Sequence, residues 1–176
     1  MKRGLTHVYY GDGKGKTTAA LGLGLRAWGA GLRVVLVQFL KDFPTGELKA
    51  LEALEGFAVL RGKAPGKLFS RDMSGEEKRL TKAVHDANLE RAAALVNEGK
   101  CDLLILDEAL DALRLGLLEE TVFRRLVCEK PEGLELVVTG HAAEGWVLEH
   151  ADYVTELIKR KHPYDKGVPA RKGIEF

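Results

Sequence analysis

Residues Gly11 to Thr18 read GDGKGKTT, between the apolar run Leu5, Thr6, His7, Val8, Tyr9, Tyr10 and the helix-like AALGLGLRAWGAG. A strand, a glycine-rich turn closing on Lys-Thr and a helix start make a phosphate cradle. The backbone N–H groups of Asp12, Gly13, Lys14 and Gly15 and of the helix N-terminus point at one anion, and the Lys16 ammonium reaches over it. Thr17 is placed to offer its hydroxyl to a magnesium ion shared with the phosphates, and Thr18 follows in the first helical turn. The spacing departs from the common phosphate loop. G-x-x-x-x-G-K-[ST] requires glycine at position 10, where this chain has Tyr10, so the loop is one residue short. A shorter loop cannot wrap a β,γ-diphosphate in the usual way.

A second run, LLILDEAL from Leu103 to Leu110, is an apolar strand ending in Asp107 and Glu108. Beside a phosphate loop, an acid at such a strand end orders magnesium directly or through water. Asp107 is expected to orient Thr17 and metal-bound waters, and Glu108 to coordinate the ion or polarise a water. Thr139-Gly140-His141 ends another strand, which makes His141 a candidate ligand contact with a weaker signal.

These groups need a scaffold that brings strand ends together. Short apolar runs at 5–10, 33–39, 57–60, 102–107, 134–139 and 152–157 alternate with helical stretches at 16–29, 46–55, 75–98, 119–127 and 143–150. Several runs are continuous rather than alternating in polarity, as parallel strands covered on both faces require. In the longest helix Ser74 and Glu77 form a capping box, Leu80, Ala83, Val84 and Ala87 share a face, and Gly99 stops it. The pattern predicts an α/β fold, a three-layer, mostly parallel sheet of the RecA-like phosphate-loop NTPase type, in one domain over 1–176. Ligands in such sheets sit at the carboxyl ends of the strands, where Gly11 falls.

Composition narrows the setting. A hydrophobic content of 45% with 30% charged residues fits a soluble globular chain, and a formal net charge of +1 gives no general attraction to nucleic acid or anionic membrane. No apolar run approaches the roughly 20 residues of a bilayer span, and MKRGLTHV lacks the apolar core of a signal peptide. Cys101 and Cys128 form no C-x-x-C pair and read as free thiols. The expected location is the cytoplasm. Two segments remain outside the sheet pattern. One is the basic connection RGKAPGKLFSRDM at 61–73, the other the tail at 158–176. The aromatics Tyr164 and Phe176 and the glycines 167 and 173 predict a tail packed over something.

In order and spacing, GDGKGKTTAALGLGLRAWGAGLRV, VVLVQFLK, DLLILDEAL, VVTG and KRKHPYDKGVPARKGIEF resemble the ATP:corrinoid adenosyltransferases (cob(I)alamin adenosyltransferases) of the phosphate-loop type. The resemblance implies that Co(I) of a reduced corrinoid attacks the 5′-carbon of ATP and inorganic triphosphate leaves, in adenosylcobalamin biosynthesis or salvage. It implies ATP bound in reversed direction along the short loop. Lys14 and Lys16 neutralise the leaving group, and Thr17 and Glu108 hold Mg²⁺. It also implies a reduced flavoprotein as electron donor, a homodimer, and no nucleic-acid or membrane partner. Relatives use aromatics before the long helix to strip an axial ligand from cobalt, which makes Phe69 the corrinoid-side candidate; Phe39 and Phe43 read as core or lid residues. This chain departs from the pattern at Asp12 (Asn in relatives), at His141 (Arg), in having Phe69 without a Phe-x-Trp pair, and in lacking an N-terminal helical extension.

Three other readings fit parts of the sequence. A kinase or ordinary NTPase would move the γ-phosphate and yield ADP. A RecA-type nucleic-acid ATPase would use the basic segments, against which the sparse aromatics count. A nucleotide-dependent corrinoid carrier would bind both ligands without turnover. Release of triphosphate separates all three from adenosyl transfer.

Overall fold

Two strands, β2 (Val34–Gln38) and β4 (Leu103–Asp107), are buried at every residue. Successive strand side chains point to opposite faces, so such strands need a covering layer on each side. The computed structural model, which describes residues 3–41, 45–62 and 73–175, supplies helices for both. On one face Val34, Leu36, Leu103, Ile105 and Val137 meet Ala20, Leu21 and Ala27 of α1 (Lys16–Gly29). On the other, Val35, Val37, Leu104, Leu106, Leu136 and Val138 meet α3 (Gly75–Asn97) and α5 (Glu120–Cys128). Each fully buried aliphatic side chain contributes roughly 1.5–3 kcal/mol, so the two middle strands anchor the sheet.

With β1 (Thr6–Tyr10), β3 (Phe57–Leu60), β5 (Glu135–Gly140) and β6 (Tyr153–Glu156), the sheet runs β3-β2-β4-β5-β1-β6. Every pairing is parallel. This is the expected α/β three-layer architecture, and its consequence for function is direct. All six carboxyl ends lie along one edge, so residues far apart in sequence meet there. Short helices α2 (Gly46–Leu51), α4 (Ala109–Arg114) and α6 (Gly145–Glu149) fill the connections.

The structure corrects the sequence reading in several places. Helix α3 keeps its capping box, in which Ser74 accepts from the Glu77 amide and Glu77 accepts from Ser74. Its buried stripe, however, is Thr81, His85, Leu89, Ala92, Ala93 and Val96, and the expected residues Ala83 and Ala87 are exposed. Apolar counting selects the wrong face because two polar side chains point inward. His85 is satisfied there: its Nδ1 pairs with the Leu117 carbonyl at 2.9 Å, and its Nε2 accepts from the Leu40 amide at 3.3 Å. Burial also depresses its pKa, which favours the neutral ring. Helix α2 stops at Leu51 rather than 55, and the chain turns at Gly56 with φ +83°. Helix α4 has no counterpart in the periodicity, being too short at six residues to display one. The tail holds a 3-10 turn at Pro163–Lys166. Phe39 is fully buried in the core, as expected. Cys101 and Cys128 are free, and burial pushes the Cys101 thiol up to about 12. Among the described residues no helix is long and apolar enough to cross a membrane.

Candidate active site

The phosphate loop leaves β1 at Tyr10 and enters α1 at Lys16. Gly11 and Gly15 have φ of +111° and +118°, conformations that side chains rarely adopt. Gly11 and Gly13 have a further reason to be glycine. A Cβ at Gly11 would stand 2.4 Å from the Leu157 carbonyl oxygen, and one at Gly13 2.7 Å from the same group. The segment leaving β6 lies directly on the loop: the Gly13 amide donates to Leu157 O at 2.7 Å, and the Lys159 amide to Asp12 Oδ1 at 2.9 Å. Asp12 therefore fastens the tail to the loop, and that contact lowers its pKa.

Among the described residues no side chain caps α1 at Gly15, which leaves the amides of the first turn available to an anion. Lys16 curls over the loop and donates to the carbonyls of Gly11 at 2.7 Å and Gly13 at 2.9 Å. Burial pulls its pKa down, against the nearby carboxylates of Asp111 and Glu108. A partly desolvated ammonium held by neutral carbonyls gains strongly from a polyanion.

The strand-end acids are organised around Asp107, which is fully buried. Its Oδ1 accepts from Thr17 Oγ1 and Thr139 Oγ1, each at 2.9 Å, and its Oδ2 from Lys41 Nζ at 2.7 Å and Gln38 Nε2 at 3.2 Å. Lys41 Nζ also donates to Thr17 Oγ1 at 3.0 Å and stands 3.4 Å from Glu108 Oε1. Burial of Lys41 lowers its pKa, but Asp107 and Glu108 outweigh that and hold it above the ordinary lysine value. Glu108 moves the other way, raised chiefly by burial despite Lys41. Its backbone is left-handed at φ 60°, held by a 2.8 Å bond from its amide to Thr139 Oγ1. Such a conformation is uncommon for a non-glycine residue and clusters at functional sites. It places Glu108 at the cleft wall while Asp107 lies beneath.

His141 follows β5, and both its amide and its Nδ1 reach Asp111 Oδ2, at 2.8 and 2.9 Å. Asp111 is 5% exposed and also pairs with Arg114. Its buried carboxyl would titrate high, but the His141 contacts hold its pKa below the usual value. Among the described residues the ring is engaged through Nδ1, and it lines the cleft.

Across the loop, Lys14 Nζ pairs with Glu175 Oε1 at 2.8 Å, and Glu175 also binds Arg171. Arg171 and then Lys14 hold the Glu175 carboxyl down at about 2. The tail touches the loop at a few points, but of its described residues 158–175 all except His162 are exposed. Tyr164 is 74% exposed, and polar pairs together with Leu157 do the fastening. Phe43, Phe69 and Phe176 lie outside the described residues.

The result is one cleft of about 860 Å³, within the usual size of a cofactor site. Asp12 through Thr18, Lys41, Glu108 and His141 line it, with Leu21, Leu25 and Ile174 as apolar wall and Glu175 at the tail side. Of the expected site residues, Gly11 and Asp107 lie under this surface rather than on it. The sequence reading missed Lys41, Asp111 and Glu175. A lone lysine closing the apolar run VVLVQFL, and an acid four residues after Asp107, were the available signals. Among the described residues, no three or more His, Cys, Asp or Glu side chains gather as a metal cage. A hydroxyl and two carboxylates around a cation are hard oxygen donors, however, and magnesium is commonly held by one or two carboxylates with phosphates and waters completing its shell. Thr17 and Glu108 fit that role.

Residues 2–176 match the family model for ATP:corrinoid adenosyltransferase BtuR/CobO/CobP. The chain is 34% identical over 179 residues to the corrinoid adenosyltransferase of Pseudomonas aeruginosa, covering 99% of this chain and 85% of that one. It is 36% identical over 183 residues to the corrinoid adenosyltransferase of Escherichia coli K12, covering 99% and 87%. Against the corrinoid adenosyltransferase CobA of Salmonella typhimurium the identity is 30% over 178 residues, covering 99% and 87%. With a phosphate loop, strand-end acids and tail assembled on one sheet edge, and this match from end to end, the chain belongs to the ATP:corrinoid adenosyltransferase family, whose substrates are ATP and a corrinoid.

Proposed function

We propose that the cleft holds ATP with its triphosphate along Gly11–Thr18 and passes the 5′-deoxyadenosyl group to Co(I) of a reduced corrinoid. The observation that carries this reading is the meeting of free α1 amides, Lys16, Thr17 and Glu108 in a single open cleft, in a chain matching the family throughout. In the reaction the cobalt electron pair forms the Co–C5′ bond, the C5′–O bond breaks, and its electron pair leaves on triphosphate. Co(I) is already nucleophilic, so no residue need remove a proton. The chain's contribution is positioning and stabilisation of negative charge on the departing oxygen. Lys16 and Lys14 supply the cations, and His141, oriented by Asp111, supplies a further hydrogen bond. Thr17 and Glu108 would hold Mg²⁺, which when bound neutralises phosphate charge. Leu21, Leu25 and Ile174 give the apolar side of the cleft a surface for the adenosine or corrinoid.

The working unit in this reading is a homodimer, supported by exposed apolar side chains at the sheet edge: Tyr153 and Val154 of β6 and the nearby Ile158 are each about half exposed. The reducing equivalents come from a reduced flavoprotein, and Phe69 is the candidate for displacing the axial ligand of cobalt; both rest on the family resemblance. Anaerobic incubation with Mg-ATP and chemically reduced corrinoid tests the reaction. The light-sensitive Co–C product and triphosphate should appear one to one. Stoichiometric ADP and phosphate would instead establish phosphoryl transfer.

A further inference from the structure

Lys41 has no role in the scheme above, yet it is one of the most firmly positioned side chains of the site. Its ammonium takes the point where Thr17 Oγ1, Asp107 Oδ2 and Glu108 Oε1 converge, at 3.0, 2.7 and 3.4 Å, and its side chain is 13% exposed. The backbone is shaped for that placement. Leu40 is left-handed at φ 56°, one of two non-glycine residues with positive φ among those described, and its amide is held by His85 of α3. The Lys41 carbonyl accepts from Arg61 Nε at 2.8 Å, just beyond β3. Elements β2, β3 and α3 thus cooperate in aiming one lysine at the oxygens beside the phosphate loop.

Those oxygens include the two proposed above to receive the metal. An ammonium and a divalent cation cannot take the same oxygens together, and a charge of +1 at this distance strongly disfavours +2. Without a cation, the fully buried Asp107 carboxylate would be uncompensated. Lys41 also lines the cleft, and its flexible four-carbon stem can reach a polyphosphate laid along the loop.

We propose that Lys41 is a positioning residue that serves as resident counter-cation of the Thr17–Asp107–Glu108 cluster. It yields that place to a divalent metal arriving with the triphosphate and turns to the phosphates. The metal is then bound together with nucleotide rather than ahead of it, and the buried Asp107 carboxylate is never left without a cation. The inference rests on the reading of Thr17 and Glu108 as metal ligands.

Binding of Mn²⁺ to the protein, followed by the electron paramagnetic resonance of free Mn²⁺ without nucleotide or corrinoid, provides the test. Native protein and Lys41→Arg should bind weakly, and Lys41→Met at least tenfold more tightly. Adding Glu108→Gln to Lys41→Met should reverse that gain. Equal Mn²⁺ affinity of native and Lys41→Met proteins, or a gain that survives Glu108→Gln, overturns the proposal. A measurement on the native protein covers the case in which Lys41→Met does not fold. In 15Nζ-lysine spectra, the Lys41 ammonium, assigned by its absence in Lys41→Arg, should move with Mg²⁺ plus inorganic triphosphate and not with the same Mg²⁺ alone. Movement with Mg²⁺ alone, or none with both, also overturns it. Neither experiment involves adenosyl transfer, so failure of that reaction would be seen separately.

Discussion

Replacing Asp107 by Ala should be one of the most destabilising single changes at the site. The carboxylate is fully buried and accepts four hydrogen bonds, from Thr17, Thr139, Lys41 and Gln38. Its removal leaves the Lys41 ammonium with Glu108, at 3.4 Å, as its one carboxylate among the described residues beside the Thr17 hydroxyl, and leaves two hydroxyls and an amide without this acceptor. Breaking a buried ion pair from one side typically costs about 3–5 kcal/mol. Glu108 as residual counter-ion, and the 13% exposure of Lys41, reduce that to about 2–4 kcal/mol. For a chain of this size each kcal/mol shifts Tm by about 2–4 °C, so thermal unfolding followed by circular dichroism should fall by about 5–15 °C. A double-mutant cycle with Lys41→Met isolates the pair: the combined loss should fall short of the sum of the single losses by about 1.5 kcal/mol or more. A loss below about 1 kcal/mol for Asp107→Ala, or strict additivity in the cycle, would refute the view of Asp107 and Lys41 as a mutually stabilising buried pair.

Further outcomes follow from the same geometry. Lys16→Ala should lower adenosyl transfer by about 10²-fold or more, the usual effect of deleting a preorganised electrostatic group; near-native turnover in a steady-state assay would remove the loop from the chemistry. Gly13→Ala should drive a Cβ into the Leu157 backbone 2.7 Å away, costing about 1–3 kcal/mol in a melting experiment and raising KM for ATP; native stability would show that the tail does not rest on the loop. The Arg33–Asp102 pair, bidentate at 2.7 and 2.8 Å, holds Asp102 at about 2. A lowered carboxyl pKa stabilises above the unfolded value and loses that contribution as pH falls, here between about 4 and 2. Asp102→Asn should therefore cost about 1 kcal/mol at pH 7, after allowance for solvent screening, and nearly nothing below pH 2; denaturant titrations at both pH values check this.

Much of this protein was legible from residues alone, where local chemistry admits few solutions. Short continuous apolar runs such as VVLV and LLIL, alternating with helical stretches, fit parallel strands covered on both faces, so the α/β class followed from hydrophobic pattern. The loop GDGKGKTT announced itself because glycines, lysine and threonine at that spacing serve backbone amides, charge and hydroxyl toward one anion. Asp107 and Glu108 were identifiable as acids at a strand end beside it. The inward face of α3 was misread because burial of Thr81 and His85 depends on partners from other elements, such as Leu40 and Leu117.

What the tertiary structure decided is which groups share a point in space. The sheet order sets β5 between β1 and β4 with all strands parallel, and so gathers Thr17, Lys41, Asp107 and Thr139. Lys41 is distant from Asp107 in sequence, and no local periodicity marks it; only the left-handed turn at Leu40 aims it inward. Likewise the tail reaches Lys14 through Glu175 because β6 pairs with β1 and delivers Leu157 onto the loop. Residue type and spacing determined the chemistry available to this chain. Long-range strand pairing, whose register no single segment encodes, decided which of those groups face one another.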